Sequence, residues 1–256
     1  MIALPGSGIR RISRCVLETG PRSWQFARDN ATAIDAHWQR TIAANPALFN
    51  GIIHMVYAAE IAADTLRTTL LRTEFKNYLF WRASGFPEAG VRDGFGSALI
   101  RSVDGHVVLG RQRHGNVNGG MAYLPGGFID PRDVAPAGTI DIDASIRREI
   151  GEETGFGAAD FELSPGYILT FSGALISIAR EHRSRLDADT IRARILQHIA
   201  GDPQSELSDA VIVRSAGDLE GLAMAPYARS LLGWLFAEQE NRSQKSETRN
   251  QKATDF

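Results

Sequence analysis

Two apolar runs separated by Asp104-Gly105 constrain the fold of this chain most strongly. Ser97–Val103 and His106–Arg113 flank that dipeptide, and Asp-Gly is a strong signal for a two-residue turn between paired strands. A short strand at Ala122–Leu124 follows, and then a helix that ends before Gly155, a residue suited to the left-handed position after a helix. This alternation of strands and helices predicts an α/β layered fold.

The remaining patterns predict three regions along the chain. We expect helices at Thr32–Ala43, Thr73–Trp81, Asp189–Ala200 and Pro226–Glu238, and strands within Ile52–Leu71 and at Tyr167–Phe171, Ala174–Ala179 and Val211–Val213. A smaller N-terminal α+β lobe over residues 1–92 precedes a domain over 93–238. Residues 239–256 are polar and almost without apolar side chains, which predicts a disordered tail.

Composition excludes several classes of site. The single cysteine, Cys15, can form neither an intramolecular disulfide nor a cysteine-based zinc site, and the six histidines show no short ligand spacing. Any bound metal should therefore be a hard cation with oxygen ligands. The formal net charge of −2 argues against a nucleic-acid polymer as partner. No apolar run has the length of a signal peptide or membrane span, so we expect a soluble, cytoplasmic protein.

Three glutamates form an acidic cluster near the end of the helix that precedes Gly155. Glu149, Glu152 and Glu153 follow the spacing i, i+3, i+4, which places their carboxylates on one side of a helix. Closely spaced carboxylates are the ligands that Mg²⁺ or Mn²⁺ requires, usually together with water and substrate phosphates. The alternative is a solvated helix face, but the Gly126-Gly127 pair upstream favours a functional site.

The segment Arg148–Phe156, together with Gly127, resembles the Nudix box, written G-x5-E-x7-R-E-U-x-E-E-x-G-U with U apolar. This resemblance to the Nudix family covers about Gly94–Glu238, and it implies an α/β/α sandwich with a mixed sheet. It also implies Mg²⁺- or Mn²⁺-assisted hydrolysis of a nucleoside diphosphate linked to another moiety. By match to the box, Glu149, Glu152 and Glu153 would hold metal, Gly127 would allow the loop before the helix, and Arg148 would buttress the helix through a carboxylate.

The chain departs from the box in the spacing before the helix. Gly127 and Arg148 are 21 positions apart, whereas the box sets them 14 apart, so seven residues are inserted. Counting forward from Gly127 places the first glutamate of the box at Asp133, and counting back from Arg148 places it at Ile140. The carboxylates that remain as partners of Arg148 are those of Asp130, Asp133, Asp141 and Asp143.

Two acids are candidates for the general base that hydrolysis needs. Glu152 belongs to the box, and Glu206 precedes a strand in the region where many Nudix family members place an additional catalytic glutamate. A solvated loop acid is the alternative interpretation of Glu206. Bound Mg²⁺ would neutralise phosphate charge and lower the pKa of the attacking water.

Substrate contacts are predicted at the hairpin, at the glycine pair and in the N-terminal lobe. Arg111 and Arg113 lie two apart at the end of the second hairpin strand, where they could contact phosphate oxygens, although strand-end charge is an equal alternative. Gly126 and Gly127 permit close backbone approach to a ligand. Tyr78 lies among basic and aromatic residues that suit stacking on a nucleobase, and packing of the lobe is the alternative.

The segment Asn45–Gly51, N-P-x-L-F-N-G, is followed by a further lobe, the hairpin and then Pro125-Gly126-Gly127 before the box. This arrangement is also similar to the Nudix branch that hydrolyses UDP-glucose and UDP-galactose. That branch would release UMP and a sugar 1-phosphate. The competing hypothesis is a Nudix-fold sensor that binds a nucleotide derivative without turning it over, and retention of all three glutamates favours catalysis over it. The expected partner is a small nucleoside diphosphate derivative, with no membrane partner and with a homodimer allowed.

Overall fold

The computed structural model describes residues 4–254, with side chains described through Arg242 and at Gln244. Within that range the helices are α1 Gln25–Asp29, α2 Ala31–Ala44, α3 Phe75–Ala83, α4 Ile142–Thr154, α5 Ala188–Gly201 and α6 Pro226–Thr254. The strands are β1 Ser7–Ile12, β2 Arg14–Thr19, β3 Ile52–Ala62, β4 Thr65–Glu74, β5 Asp93–Arg101, β6 Val107–Gln112, β7 Ala122–Tyr123, β8 Thr139–Ile140, β9 Phe161–Leu163, β10 Tyr167–Ser172, β11 Leu175–Ser184 and β12 Leu207–Val213.

The strands form a larger and a smaller sheet, and both are mixed. The larger sheet has the order β1-β10-β11-β5-β6-β12, with β7 added to β6 and β9 added to β11. Its β5 and β11 run parallel, while β5 and β6 form the antiparallel hairpin predicted around Asp104-Gly105. The smaller sheet has the order β3-β4-β2-β8, in which β2 and β4 are parallel.

Helices cover both faces of the larger sheet. Gly96 of β5 lies against Ile146 of α4, whereas the ring of its neighbour Phe95 packs on Tyr227 of α6 at a centroid distance of 5.0 Å. Successive side chains of a strand point to opposite faces, so α4 and α6 lie on opposite sides of the sheet. The predicted α/β/α sandwich with a mixed sheet is therefore present.

Most predicted elements are confirmed, with longer bounds in places. The helix at Thr32–Ala43 is α2, and the helix before Gly155 is α4, whose end has that glycine in the left-handed region at φ 71°. Within Ile52–Leu71 we expected two short strands, but the structure has the long antiparallel pair β3 and β4. A tight turn at Ala63 and Asp64 joins them, so pairing extends along both strands.

The predicted division at residue 92 does not separate the two sheets. Strand β1, from the N-terminal region, pairs with β10 at the edge of the larger sheet. Strand β8 lies far along the chain, yet it pairs with β2 in the smaller sheet. The two regions exchange strands, because edge strands satisfy their backbone hydrogen bonds by pairing across the boundary.

The polar tail predicted over residues 239–256 differs from the structure, in which α6 continues through this segment to Thr254. Leu232, Leu235 and Phe236 anchor the first half of α6 in the core. The residues that follow contain no Gly or Pro and are rich in Glu, Gln, Lys and Arg, which propagate an existing helix well. Residues 255–256 lie outside the described range. Among the described residues, no helix combines the length and apolar content needed to cross a membrane.

Candidate functional site

Helix α4 presents one apolar face to the sheet and one acidic face to the loop before it. Its N-cap is Asp141, whose carboxylate accepts a hydrogen bond of 3.0 Å from the backbone N–H of Ala144. Ile146 and Ile150 are buried against the core. Burial of these side chains sets the rotation of the helix, so its glutamates face the loop that carries Gly126 and Gly127.

Asp133 is the carboxylate that meets Arg148. Nη2 of Arg148 lies 3.2 Å from Oδ1 and 3.1 Å from Oδ2 of Asp133, whereas the nearest Asp130 oxygen is 3.5 Å away. The Asp133 side chain is 3% exposed and that of Arg148 is 17% exposed. Asp133 is the residue reached by counting forward from Gly127, so the inserted residues come after it.

A short 3-10 turn, Pro131–Asp133, holds the Asp133 carboxylate in place. Asp130 and Asp133 form a capping box, in which the Asp130 N–H donates to Asp133 Oδ2 at 3.0 Å. The Ser145 hydroxyl of α4 donates to the same oxygen at 3.1 Å. An aspartate is one methylene shorter than the glutamate of the box. The capped turn holds the shorter Asp133 side chain where its carboxylate still reaches Arg148.

The inserted residues, 134–140, leave the site and join the smaller sheet. Thr139 and Ile140 form β8, which pairs with Glu18 and Leu17 of β2. The Thr19 N–H also donates to the Gly138 carbonyl at 2.8 Å. The insertion therefore does not displace α4 from the loop that carries Asp133, and it ties that loop to the N-terminal region.

Each box glutamate has its own environment. Glu149 Oε1 lies 2.6 Å from Arg148 Nη1. Glu152 is 50% exposed, and its two oxygens lie 3.1 Å from Arg132 Nη1 and 3.3 Å from Arg148 Nη1. Glu153 is buried, where it accepts hydrogen bonds from the Tyr123 hydroxyl and, at 3.0 Å, from the Gly126 N–H.

The acidic groups of the site share one electrostatic environment. Burial raises the pKa of Glu149 to about 7, against the lowering effect of Arg148. Burial also raises the pKa of Glu153 well above its usual range, and repulsion from Glu149 and Glu206 adds to it. The pKa of Glu206 is raised by desolvation and by repulsion from Glu152. The charge of Glu206 is therefore felt by the helix glutamates.

The donor set fits a hard divalent cation in its chemistry. Within residues 4–254, no group of three His, Cys, Asp or Glu side chains is arranged as a ready metal centre. Instead, two guanidinium groups contact Glu149 and Glu152, and protein donors contact Glu153. Crowded carboxylates with raised pKa values are stabilised by a cation, and all of these donors are oxygens. Glu149, Glu152 and Glu153 are the residues that would hold it.

Gly126 and Gly127 bring the loop backbone against the acidic face. A Cβ at Gly126 would lie 2.2 Å from the Gly96 carbonyl oxygen, and its φ of 155° also disfavours a side chain. A Cβ at Gly127 would lie 2.7 Å from the carboxyl atoms of Glu149. Both glycines bring the backbone close to protein groups, which at Gly127 is a candidate metal ligand, and the approach to a bound ligand predicted for this pair stays a prediction.

Replacing Gly127 with alanine should lower activity by about tenfold or more, because the Glu149 carboxylate must turn away and misplaced groups cost rate steeply. The backbone at Gly127 is not in the left-handed region, so the melting temperature should change little. Gly233→Ala is the matched control, since its Cβ would meet nothing within 4 Å. Full hydrolytic activity in Gly127→Ala would show that Glu149 is not needed in this position.

Arg111 and Arg113 donate hydrogen bonds to backbone carbonyl oxygens, and those of Arg113 lie in the loop that carries Glu206. Arg111 Nη1 donates to the Gly120 carbonyl at 3.1 Å. Arg113 donates from Nη1 to the Pro203 carbonyl at 3.3 Å, and its backbone N–H donates to the Glu206 carbonyl at 2.8 Å. Arg113 thus fixes the loop that carries the candidate base, and the phosphate contacts predicted for both arginines stay predictions.

The prediction that Tyr78 stacks on a nucleobase is wrong, because its ring is buried in the N-terminal region. The ring packs edge-on against Phe128 at a centroid distance of 4.8 Å. Burial raises the pKa of the Tyr78 hydroxyl, and the charge of the buried Asp93 adds to that effect. The aromatic and basic residues that indicated a stacking site are instead the packing of α3 against the rest of the molecule.

Asp93 should make stability depend on pH, since burial raises its pKa to about 7. The folded state then binds more protons than the unfolded state between about pH 4 and 7, so the free energy of unfolding falls as pH rises through that window. Asp93→Asn removes this dependence. The free energy of unfolding of the variant, relative to that of the wild type, should therefore be higher at pH 8 than at pH 4 by on the order of 2–4 kcal/mol, as measured by urea unfolding. An equal difference at both pH values would contradict this assignment.

Three residues of the site were not predicted from the sequence. Arg132 contacts Glu152, Tyr123 contacts Glu153, and Ser145 contacts Asp133. For Arg132 and Asp133 a usable signal exists in the string Asp130-Pro-Arg-Asp133, which has the form of a capped turn with Pro at its first position. Tyr123 and Ser145 depend on packing between distant elements, and no local signal marks them.

Among the known proteins compared with this chain, similar ones were found only among solved structures. No family model matches the chain, and no curated protein matches it. A Nudix hydrolase from M. smegmatis is 15% identical, with 59% of this chain and 87% of that chain covered and a TM-score of 0.40. A MutT protein from Methanosarcina mazei Go1 is 22% identical, with 60% and 96% covered and a TM-score of 0.37. A C. elegans Ap4A hydrolase is 14% identical, with 58% and 98% covered and a TM-score of 0.37. At these values, activity and substrate must be argued from the residues of the site.

Proposed function

We propose that the chain is a Nudix-type hydrolase that cleaves a pyrophosphate bond in a nucleoside diphosphate linked to another moiety, with Mg²⁺ or Mn²⁺ as cofactor. The observation that carries the proposal is the contact between Arg148 and Asp133. It supplies the orienting carboxylate of the box at the spacing that the box requires from Gly127. The three helix glutamates lie beside that contact and beside the glycine pair.

The residues of the site divide the work of hydrolysis. A bound divalent cation supplies charge neutralisation at the phosphates and lowers the pKa of water. Arg148, held by Asp133, fixes the carboxylates of Glu149 and Glu152. Glu206 or Glu152 accepts the proton of the attacking water, and burial together with repulsion from Glu152 raises the pKa of Glu206, which makes it a stronger base than a solvated glutamate.

In this reaction the water oxygen forms a bond to one phosphorus, and the bridging P–O bond breaks. The bridging oxygen leaves with the other phosphate, so the products are two phosphate monoesters. Glu153 lies on the buried side of the site, away from solvent. Exposed Glu152 marks the side from which substrate enters.

For the substrate we propose a UDP-sugar, which would give UMP and a sugar 1-phosphate. The support is the segment Asn45–Gly51, which is joined to the rest of the molecule through Asn45 and to the start of α3 through Asn50. Asn45 Nδ2 donates to the Gly115 carbonyl at 2.9 Å, and Asn50 Oδ1 accepts from the Lys76 N–H at the start of α3. Phe49, between them, is 82% exposed and is free to meet a ligand ring.

The test is a substrate panel with the purified full chain and Mg²⁺ or Mn²⁺, with products resolved by chromatography. The panel holds UDP-glucose, UDP-galactose, ADP-ribose, NADH, CoA, dinucleoside polyphosphates and 8-oxo-dGTP. We expect turnover of a nucleoside diphosphate derivative, and we expect Glu152→Gln to lose it while the surface variant Glu162→Gln keeps it. Equal turnover by Glu152→Gln and Glu162→Gln would contradict the assignment of Glu152 to the active site. Metal-dependent binding of a panel compound without turnover would instead support the competing hypothesis, a sensor that binds a nucleotide derivative without hydrolysing it.

A further inference from the structure

Arg132 bridges two carboxylates at the exposed edge of the site. Its Nε and Nη2 lie 2.9 Å and 2.6 Å from Asp130 Oδ2, and its Nη1 lies 3.1 Å from Glu152 Oε1. Its side chain is 61% exposed. No part of the Nudix box prescribes this residue, which precedes Asp133 in the loop before the insertion. The guanidinium group therefore has a role that the box does not account for.

The charges around Arg132 are out of balance. Two guanidinium groups, those of Arg132 and Arg148, face the four carboxylates of Asp130, Asp133, Glu149 and Glu152. Such an excess of negative charge favours a cation between the helix glutamates. A cation at Glu152 would compete with Arg132, because both would bind the same carboxylate.

Arg148 and Arg132 differ in how firmly they are held. Arg148 is largely buried and keeps two contacts to Asp133 whether or not Glu152 is available. Arg132 is exposed, and its remaining contacts go to one oxygen of Asp130 on the same short turn. If Glu152 turned to a cation, Nη1 of Arg132 would be left as a free donor at the mouth of the site.

We propose that Arg132 is an exchangeable counter-ion of this site: it holds Glu152 in the absence of a cation and passes to a substrate phosphate oxygen when a cation takes Glu152. A guanidinium group suits this exchange because its planar donors match carboxylate and phosphate oxygens equally well. Asp130 keeps the group at the edge of the site in both states. This inference rests on the proposed function, since it needs a cation and a phosphate at the same face of α4.

The experiment uses calorimetric titrations of the full chain and needs no turnover. Mn²⁺ is titrated first into the protein alone, and inorganic pyrophosphate is then titrated into the Mn²⁺-loaded protein. The variants are Arg132→Gln, the conservative Arg132→Lys, and the control Arg147→Gln. Arg147 is an exposed arginine beside Arg148, and it lines a small apolar cavity with Phe161 and His182, away from the acidic face.

Opposite shifts in the two titrations are expected for Arg132→Gln. It should bind Mn²⁺ about two- to fivefold more tightly than wild type, because the surface ion pair between Arg132 and Glu152 no longer competes with the metal ion. It should bind pyrophosphate about tenfold more weakly, because a charged hydrogen bond is lost. Arg132→Lys should lie between the two proteins, and Arg147→Gln should match wild type in both titrations.

Other results would overturn the inference. Unchanged or weaker Mn²⁺ binding in Arg132→Gln would show that Arg132 does not compete for Glu152, and unchanged pyrophosphate binding would show that it does not reach phosphate. If either result accompanies normal hydrolysis by the wild type, the exchange is wrong and the proposed function stands. If the wild type itself binds no Mn²⁺, both the exchange and the proposed function fail.

Discussion

Glu153→Gln is expected to lower the hydrolytic kcat/KM by about 100- to 1000-fold without destabilising the fold. Glu153 is the most deeply buried of the helix glutamates, and it bonds to the Tyr123 hydroxyl and the Gly126 N–H. If Glu153 holds the cation as proposed, its loss removes several kcal/mol of charge stabilisation in the transition state. In glutamine the side-chain oxygen can still accept from the Gly126 N–H and the NH2 group can donate to the Tyr123 hydroxyl, while a carboxyl group that is costly to ionise when buried is removed.

Activity and stability should therefore move separately in this variant. The kcat/KM is measured on the substrate that the panel identifies, and the free energy of unfolding is measured by urea denaturation at pH 8. Glu162→Gln, an exposed glutamate outside the site, serves as the control for the loss of one negative charge. A Glu153→Gln protein with wild-type activity would mean that Glu153 is a structural acid only.

Asp133→Asn is expected to lower kcat/KM by about 10- to 100-fold and also to destabilise the protein. Asp133 does not meet substrate in this account, and it acts by holding Arg148, which in turn contacts Glu149 and Glu152. Groups that orient metal ligands typically contribute effects of this size. Removing one partner of a largely buried ion pair should cost about 3 kcal/mol, since the Arg148 charge stays behind.

The matched control for this variant is Asp143→Asn. Asp143 is also on α4 and also pairs with an arginine, Arg180, but this pair lies away from the acidic face. Both variants should unfold at lower urea concentration, whereas only Asp133→Asn should lose activity and affinity for Mn²⁺. Equal activity losses in the two variants would mean that Asp133 contributes stability alone, and that another group orients Arg148.

Elements with local signals could be predicted from the sequence. The hairpin around Asp104-Gly105 and the end of α4 at Gly155 depend on turn and cap residues that act within a few positions. The spacing of Glu149, Glu152 and Glu153 likewise fixes a common helix face. These features carry the candidate site, which is why its chemistry could be inferred before its geometry.

The partner of Arg148 could not be chosen from spacing, because an insertion makes the counts from its two ends disagree. In the structure the partner is Asp133, because a capped 3-10 turn holds its carboxylate in place and β8 carries the inserted residues away into the smaller sheet. Pairings such as β1 with β10 join segments more than 150 residues apart, and no local pattern encodes them. The burial of Tyr78 beside Phe128 has the same origin.

The most direct test of the account is the position of Mn²⁺ in crystals of the full chain soaked in that ion, located by anomalous scattering. We predict a peak bounded by the carboxylates of Glu149, Glu152 and Glu153, with Arg148 still paired to Asp133. Mn²⁺ bound only elsewhere on the molecule, in crystals of a protein that hydrolyses its substrate, would contradict the assignment of the acidic face of α4 as the metal site.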